Sequence, residues 1–214
     1  MPKQKRFENM RCMYRLLVAL AILAAIAWQL RFLYHAIPGF RPWNFLSFFT
    51  IQTNIIGAVA LLWAALAKKH SAVRDVFRGA ATLYLATTGV VFALLLANTP
   101  EAVDTTIPWV NAVLHELAPL LIVIDWLWDL PQSRLTVRQV VWWLAYPVAW
   151  LGYTLVRGVV VDWYPYSFVD PGHDGGYGRV GLYVLGITLF VVLAAAGLAF
   201  ATNGRIAATK KMHA

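Results

Sequence analysis

The sequence predicts an all-α membrane protein, a bundle of six transmembrane helices forming one domain over residues 1–214. Three observations carry that prediction. First, 60% of the residues are hydrophobic and only 13% are charged, whereas a soluble domain has roughly 25% charged and about 45–50% apolar residues. Second, six apolar segments each approach the about 20 residues that a bilayer core requires. Third, Lys and Arg fall on alternate connections between those segments. Ten Trp and nine Tyr suit the same class, because their amphipathic rings favour the headgroup interface.

The first span, about Met13–Tyr34, follows a basic start containing Lys3, Lys5, Arg6, Arg11 and Arg15. No small-residue cleavage site is evident after the apolar run, so this segment is expected to be retained rather than removed as a signal peptide. The second span, about Asn44–Leu66, follows "AIPGFRP"; the third, about Gly79–Ala97, follows "KKHSAVRD". The fourth, about Trp109–Trp128, follows "NTPEAVDTTIP", and the fifth, about Val140–Val156, follows "LPQSRLT". The sixth, about Val180–Ala201, lies beyond the long stretch "VDWYPYSFVDPGHDGGYG". Each break is rich in Pro, Gly or charge, as connections between helices are.

With the N-terminus in the cytoplasm, every Lys and Arg except Arg31, Arg41, Arg157 and Arg179 falls on the cytoplasmic side. The outer connections instead hold Glu101, Asp104, Asp162, Asp170 and Asp174. That asymmetry places both termini in the cytoplasm. The net charge of +8 is thus a topology signal, and no nucleic acid is expected as a partner. The compact six-span chain points to a bacterial cytoplasmic (inner) membrane. Membrane lipids are the expected surroundings, and the oligomeric state stays open. A single cysteine, Cys12, excludes an intramolecular disulfide and a multi-cysteine metal site. No cofactor or metal is expected.

Two spans carry polar residues that lipid would not favour. At the start of the second, "WNFLSFFTIQTN" holds Ser47, Thr50, Gln52, Thr53 and Asn54. Successive helical residues turn by about 100°, so Ser47, Thr50 and Asn54 share one narrow stripe. Such a stripe faces protein or a cavity, because hydrocarbon offers no hydrogen-bond partners. Interhelical hydrogen bonding explains it without function. The fourth span places Asn111, His115, Glu116 and Asp125 in an apolar helix, and ionisable groups at that depth mark functional interiors. Asn111, four residues before His115, shares its face and is placed to orient the imidazole. Pro119 deprives the His115 carbonyl of its usual donor, which favours a kink. With the expected topology, Thr50 lies about 10 Å below Trp43 and His115 about 10 Å below Pro108 on the helical rise. The hydroxyls and the imidazole therefore share a depth.

A neutral imidazole beside a hydroxyl is the minimum for nucleophilic catalysis, since the hydroxyl needs a base to accept its proton. The imidazole can then protonate the leaving group. An oxyanion donor is also required, and because a membrane helix occupies its backbone N–H groups, the side chains of Gln52, Asn54 or Asn111 are candidates. The cluster Asp170, His173 and Asp174 reads as a turn in a Gly-rich loop, with weak cation binding as the competing reading.

The strings "WNFLSF", "WVNAVLH" and "DWYPY" occur in the order and context of one family. In them the chain resembles the androgen-induced family of integral membrane hydrolases, including its tissue-factor-pathway-inhibitor regulator branch. The resemblance extends from about Trp43 to the last span. Its most specific part is the spacing of Trp109, Asn111 and His115, followed by an acid, Asp125, ten residues after the histidine. The resemblance implies an intramembrane hydrolase with a threonine nucleophile and a histidine, acting on fatty acid esters of hydroxy fatty acids. His115 falls on the family histidine. The family threonine falls without gaps on Ser47, a departure that makes Ser47 the position match and leaves Thr50, one turn deeper, as its rival. On this reading the partner is a lipid ester substrate. Trp43, Asn54, Trp109, Asn111, Glu116 and Asp125 are the supporting or substrate-binding residues, and the "DWYPYSFVDPGHDGGYG" loop is a lid or an aromatic anchor.

Other classes remain open. A transporter would use the same polar residues, with Glu116 and Asp125 as proton carriers. A bis-histidine haem protein would need His35 and His115 as paired ligands, but their depths differ. A non-catalytic membrane scaffold is the third alternative, kept open by the serine at the family threonine position.

Overall fold

The computed structural model describes residues 3–67, 71–97 and 107–212, with the side chains of 5–208. The stretches holding Lys68, Lys69 and His70, Glu101 and Asp104, and the terminal His213 lie outside the described residues, as do the side chains of Lys3, Lys210 and Lys211. All regular structure among the described residues is helical. Among the described residues nine α-helices run in order: α1 (Lys3–Ala36), α2 (Pro42–Ser47), α3 (Phe49–Leu66), α4 (Ala72–Val91), α5 (Pro108–Ala112), α6 (Ala118–Trp128), α7 (Val137–Trp142), α8 (Ala145–Val161) and α9 (Gly176–Met212). They combine into six helical stretches long and apolar enough to cross a membrane: Lys5–Ala36, Phe49–Leu66, Ala72–Leu96, Pro108–Trp128, Val137–Val161 and Gly176–Ala208. The fold is an all-helical bundle compatible with an integral membrane protein.

Four of the six depart from the expected uninterrupted spans. The second is split at Phe48, whose extended backbone (φ −62°, ψ 134°) separates α2 from α3. The third starts at Ala72, seven positions before Gly79, and ends in a π turn, Phe92–Leu96. The fourth carries a π turn, Val113–Leu117, between α5 and α6. The fifth is jointed at Trp143 and Leu144, between α7 and α8.

The centre is packed by α1, α3, α4 and α6: α1 lies on α3, α3 on α4, and α4 on α6. Val18, Ala19, Ile22, Ala25 and Ile26 form the buried face of α1, at the three- and four-residue spacing of one helix side. They share one core with Ile51, Ala58 and Leu61 of α3, Leu85 of α4 and Ile122 of α6. Small residues let these backbones approach, as lipid-embedded helices require. At Gly57 a Cβ would stand 2.4 Å from Leu85 Cδ1. The last helix is peripheral: Leu182, Leu185, Leu189 and Phe200 are all exposed, an apolar surface suited to lipid.

Buried charge gathers at one end of this core. Asp125 of α6 accepts hydrogen bonds from Arg15 Nε (2.6 Å) and Arg78 Nη1 (3.1 Å). Asp129 takes Arg11 (2.5 Å) and Arg15 Nη2 (2.7 Å), and its main-chain carbonyl accepts from Arg78. Three helices are thereby tied, and each buried charge has an opposite partner.

Candidate active site

The split in the second span builds the site. Chain reversal of ψ at Phe48 leaves α2 carbonyls without helical donors and starts a new helix one residue before Thr50. Side chains take up the freed carbonyls: Gln52 Nε2 donates to Leu46 O (2.9 Å) and Trp150 Nε1 to Ser47 O (3.0 Å). Tyr146 in turn donates to Gln52 Oε1 (2.9 Å). Gln52 is therefore a cap for the break, not a spare donor. At the new N-terminus, the first backbone N–H groups have no carbonyl one turn back. The N–H of Thr50 donates instead to Tyr166 Oη, at 3.2 Å.

Thr50 Oγ1 lies 3.2 Å from His115 Nε2, and both residues are buried. The structure thus brings the rival hydroxyl, not the position match, to the imidazole. Ser47 Oγ donates to the Trp43 carbonyl (2.6 Å) and, its one hydrogen so used, accepts from Tyr153 Oη (2.8 Å). It makes no hydrogen bond with His115. The reason is the break: a continuous helix would stack Ser47 and Thr50 on one stripe, but the turn at Phe48 swings α2 toward α8.

The senses of the hydrogen bonds follow from their ends. His115 Nδ1 lies 3.3 Å from the Asn111 carbonyl, which can only accept. In a neutral imidazole the hydrogen is then on Nδ1, and Nε2 is the acceptor. Thr50 Oγ1 donates to it. Tyr166 Oη, 3.2 Å from Thr50 Oγ1 and accepting from the Thr50 N–H, directs its own hydrogen to Oγ1. The result is a single-sense chain: Thr50 N–H to Tyr166, Tyr166 to Thr50 Oγ1, Oγ1 to His115, His115 to Asn111 O.

Three features position the imidazole. Phe92, opening the π turn of the third span, stacks on it at 4.3 Å and 25°. The π turn of the fourth span carries it, with Ala118 N–H reaching back to Val113 O and Pro119 lacking an N–H. Asn54, fully buried, donates from Nδ2 to Thr50 O (2.9 Å) and to Leu114 O (3.0 Å). One amide therefore clamps the two backbones that present the hydroxyl and the base.

The remaining expected site residues go elsewhere. Asp125 lies ten residues beyond His115, roughly 15 Å along the helix, in the arginine cluster. Glu116 is exposed, because the π turn leaves only Leu114 and His115 on the buried face, but it stays beside the imidazole on the wall of an open groove that reaches His115. Trp43 and Trp109 have exposed rings; Trp109 packs edge-on against Trp28 at 6.2 Å. Asp170 accepts from Gly172 N–H at 2.8 Å and lies 3.7 Å from His173, an exposed turn. Among the described residues no group of three or more His, Cys, Asp or Glu could hold a metal. Tyr166, the last residue of "DWYPY", is a further site residue that no local sequence signal marks, since only the fold brings it to Thr50.

The loop between α8 and α9 plugs into the bundle through Tyr166, Phe168 and Val169, all buried. It closes a narrow apolar cavity of about 90 Å³ that reaches Thr50, lined also by Phe49, Val91, Leu96, Leu151 and Ile187. On the far side of the imidazole an open groove of about 560 Å³ runs along Gly89, Phe92, Pro119 and Leu120 to His115. A buried hydroxyl–imidazole pair lies between these two spaces, an arrangement chemically able to pair a nucleophile with a base. No protein-family model, curated protein or solved structure matches the chain.

Proposed function

We propose that this chain hydrolyses lipid esters within the membrane, with Thr50 as nucleophile and His115 as base. The observation that carries the reading is the 3.2 Å approach of Thr50 Oγ1 to His115 Nε2 in a buried setting. Nε2 takes the threonine proton as Oγ1 bonds to the ester carbonyl carbon and the carbonyl electrons move onto oxygen. When the tetrahedral species collapses, the alkoxy C–O bond breaks and the imidazolium returns its proton to the departing alcohol. Water then attacks the acyl-threonine by the same route, releasing the fatty acid and restoring Oγ1–H.

Apolar space on both sides of the dyad suits an ester with a hydrocarbon chain on each side, such as a fatty acid ester of a hydroxy fatty acid. That substrate class agrees with the resemblance to the androgen-induced hydrolases, with the family threonine carried by Thr50. We take both termini to be cytoplasmic, the orientation that the positive-inside rule favours for these basic residues, and the dyad then to face the outer half of a bacterial inner membrane.

A lipophilic fluorophosphonate tests the reading on purified, monodisperse protein. Covalent labelling is expected in the native protein and in Ser47→Ala, and is expected to vanish in Thr50→Ala and His115→Ala. Labelling that persists in Thr50→Ala, or a native protein that neither labels nor turns over branched fatty acid esters, overturns it.

A further inference from the structure

We infer that Tyr166 is the oxyanion donor of this site, and that the Thr50 N–H sets it up for that role. The inference rests on the hydrolase reading. Acyl transfer requires a donor aimed at the carbonyl oxygen as charge develops there. Two of the three candidate amides, Asn54 and Gln52, are committed: Asn54 Nδ2 to two carbonyls and Gln52 Nε2 to Leu46 O. Tyr166 Oη stands 3.2 Å from Oγ1, the atom that forms the new bond.

Its hydrogen has a natural transfer of partners. In the resting site it is given to Thr50 Oγ1. Once Oγ1 has lost its proton to His115 and bonded to the carbonyl carbon, it becomes an ester-type oxygen and a poor acceptor. The new anionic oxygen, on the adjoining carbon, is a far better one. A rotation about the phenol C–O bond moves the hydrogen across. The Thr50 N–H, donating to Oη from the positive end of α3, polarises the phenol toward donation at no cost in reorganisation.

The ring is held for this task. It stacks on Phe168 at 5.1 Å with planes 5° apart, and meets Phe48 at 5.4 Å and Trp150 at 6.0 Å. It is buried and lines the apolar cavity beside Thr50. The break at Phe48 thus serves twice, presenting the nucleophile and freeing the backbone donor behind the phenol.

The test uses Tyr166→Phe, which keeps the ring packing and removes only the hydroxyl. A lipophilic boronic acid, which forms a tetrahedral anion on Oγ1, is compared with a chain-matched alkyl ether, which forms none. Boronate affinity and kcat are expected to fall by about 10²–10³-fold, the range for removing one oxyanion donor. Ether affinity and KM should change less than threefold. Equal losses for both ligands would make Tyr166 a packing residue, and an unchanged boronate affinity would remove it from catalysis; either overturns the inference while leaving the hydrolase reading intact. If the native protein forms no boronate adduct and no fluorophosphonate adduct, the hydrolase reading falls and the inference with it.

Discussion

Asn54 Nδ2 stands 3.0 Å from the carbonyl of Leu114, the residue before His115, while the same nitrogen holds the carbonyl of Thr50 at 2.9 Å. Both neighbours are acceptors, so the amide must face them with its NH₂ group, and Oδ1 is left without a hydrogen-bond partner. An apolar residue cannot do this, and an aspartate would set oxygen against oxygen. Asn54→Leu takes this donor from the Leu114 carbonyl, at about 1–3 kcal/mol, while the Thr50 carbonyl keeps Thr53 Oγ1 at 3.2 Å. A lower thermal midpoint in detergent and at least tenfold slower fluorophosphonate labelling are expected, with Asn54→Asp no better. Labelling at the native rate in a stable Asn54→Leu protein would show that the clamp does not position the dyad.

The contrast between the two hydroxyls shows where the sequence could be read and where it could not. Hydropathy shows the six helices because lipid solubility acts on the composition of each segment. His115 is legible because an imidazole in an apolar helix is costly enough to be noticed. The choice between Ser47 and Thr50 is not legible by helical periodicity, which assumes an unbroken helix. The break at Phe48 contains no Pro or Gly; it is stabilised by Gln52, Trp150 and, through Gln52, Tyr146, the latter two about a hundred residues away. Such tertiary capping leaves no local signature. Tyr166 is hidden for the same reason, since only the folded loop brings it to Thr50. Asp125 misled because an intramembrane acid reads as functional until its arginine partners on α1 and α4 are seen.

Gly89 packs where α4 crosses the histidine-bearing helix. A Cβ there would stand 2.8 Å from Pro119 Cβ and 3.3 Å from the His115 carbonyl oxygen. Neither atom is the end of a flexible side chain, so relief requires the helices to part. Gly89→Ala is therefore expected to cost about 1–3 kcal/mol as overpacking, and to slow labelling by moving the imidazole away from Thr50. Gly186→Ala is the control, because nothing lies within 4 Å of its added Cβ. Midpoints and labelling rates for the pair check this; equal behaviour would mean that α4 sets neither the position nor the stability of His115.

Asp125 separates stability from catalysis. Arg15 and Arg78 both depend on it, and their side chains are almost wholly buried. Asp125→Ala leaves those guanidinium groups short of counter-charge, and breaking a buried pair costs about 3–5 kcal/mol. The expected result is a large drop in thermal midpoint and in yield of monodisperse protein. Labelling per folded molecule should stay close to native, because the acid sits roughly 15 Å along the helix from His115. A stable Asp125→Ala protein that no longer labels would restore the acid to the catalytic machinery.

Asp129, just beyond the fourth apolar stretch, gives the bundle an acid sensitivity of predictable sign. Burial raises its pKa, but the Arg15 hydrogen bond and the charges of Arg78, Arg15 and Arg11 outweigh it and hold the carboxyl below its ordinary value. In the unfolded chain an aspartate titrates at about 3.9. A carboxyl with a depressed folded pKa contributes its stability in full above the unfolded value and loses it as pH falls through the folded one. From this group the thermal midpoint should be level between about pH 7 and pH 5, then fall below about pH 4 as Asp129 takes up a proton and releases Arg11 and Arg15. Asp129→Asn lacks that contribution at every pH. It should start lower at pH 7 and lose less on acidification than the native protein. Parallel curves for the two proteins would mean that the arginine cluster does not draw its acid sensitivity from Asp129, and Asp125, the other carboxylate in contact with Arg15 and Arg78, would be the next group to substitute.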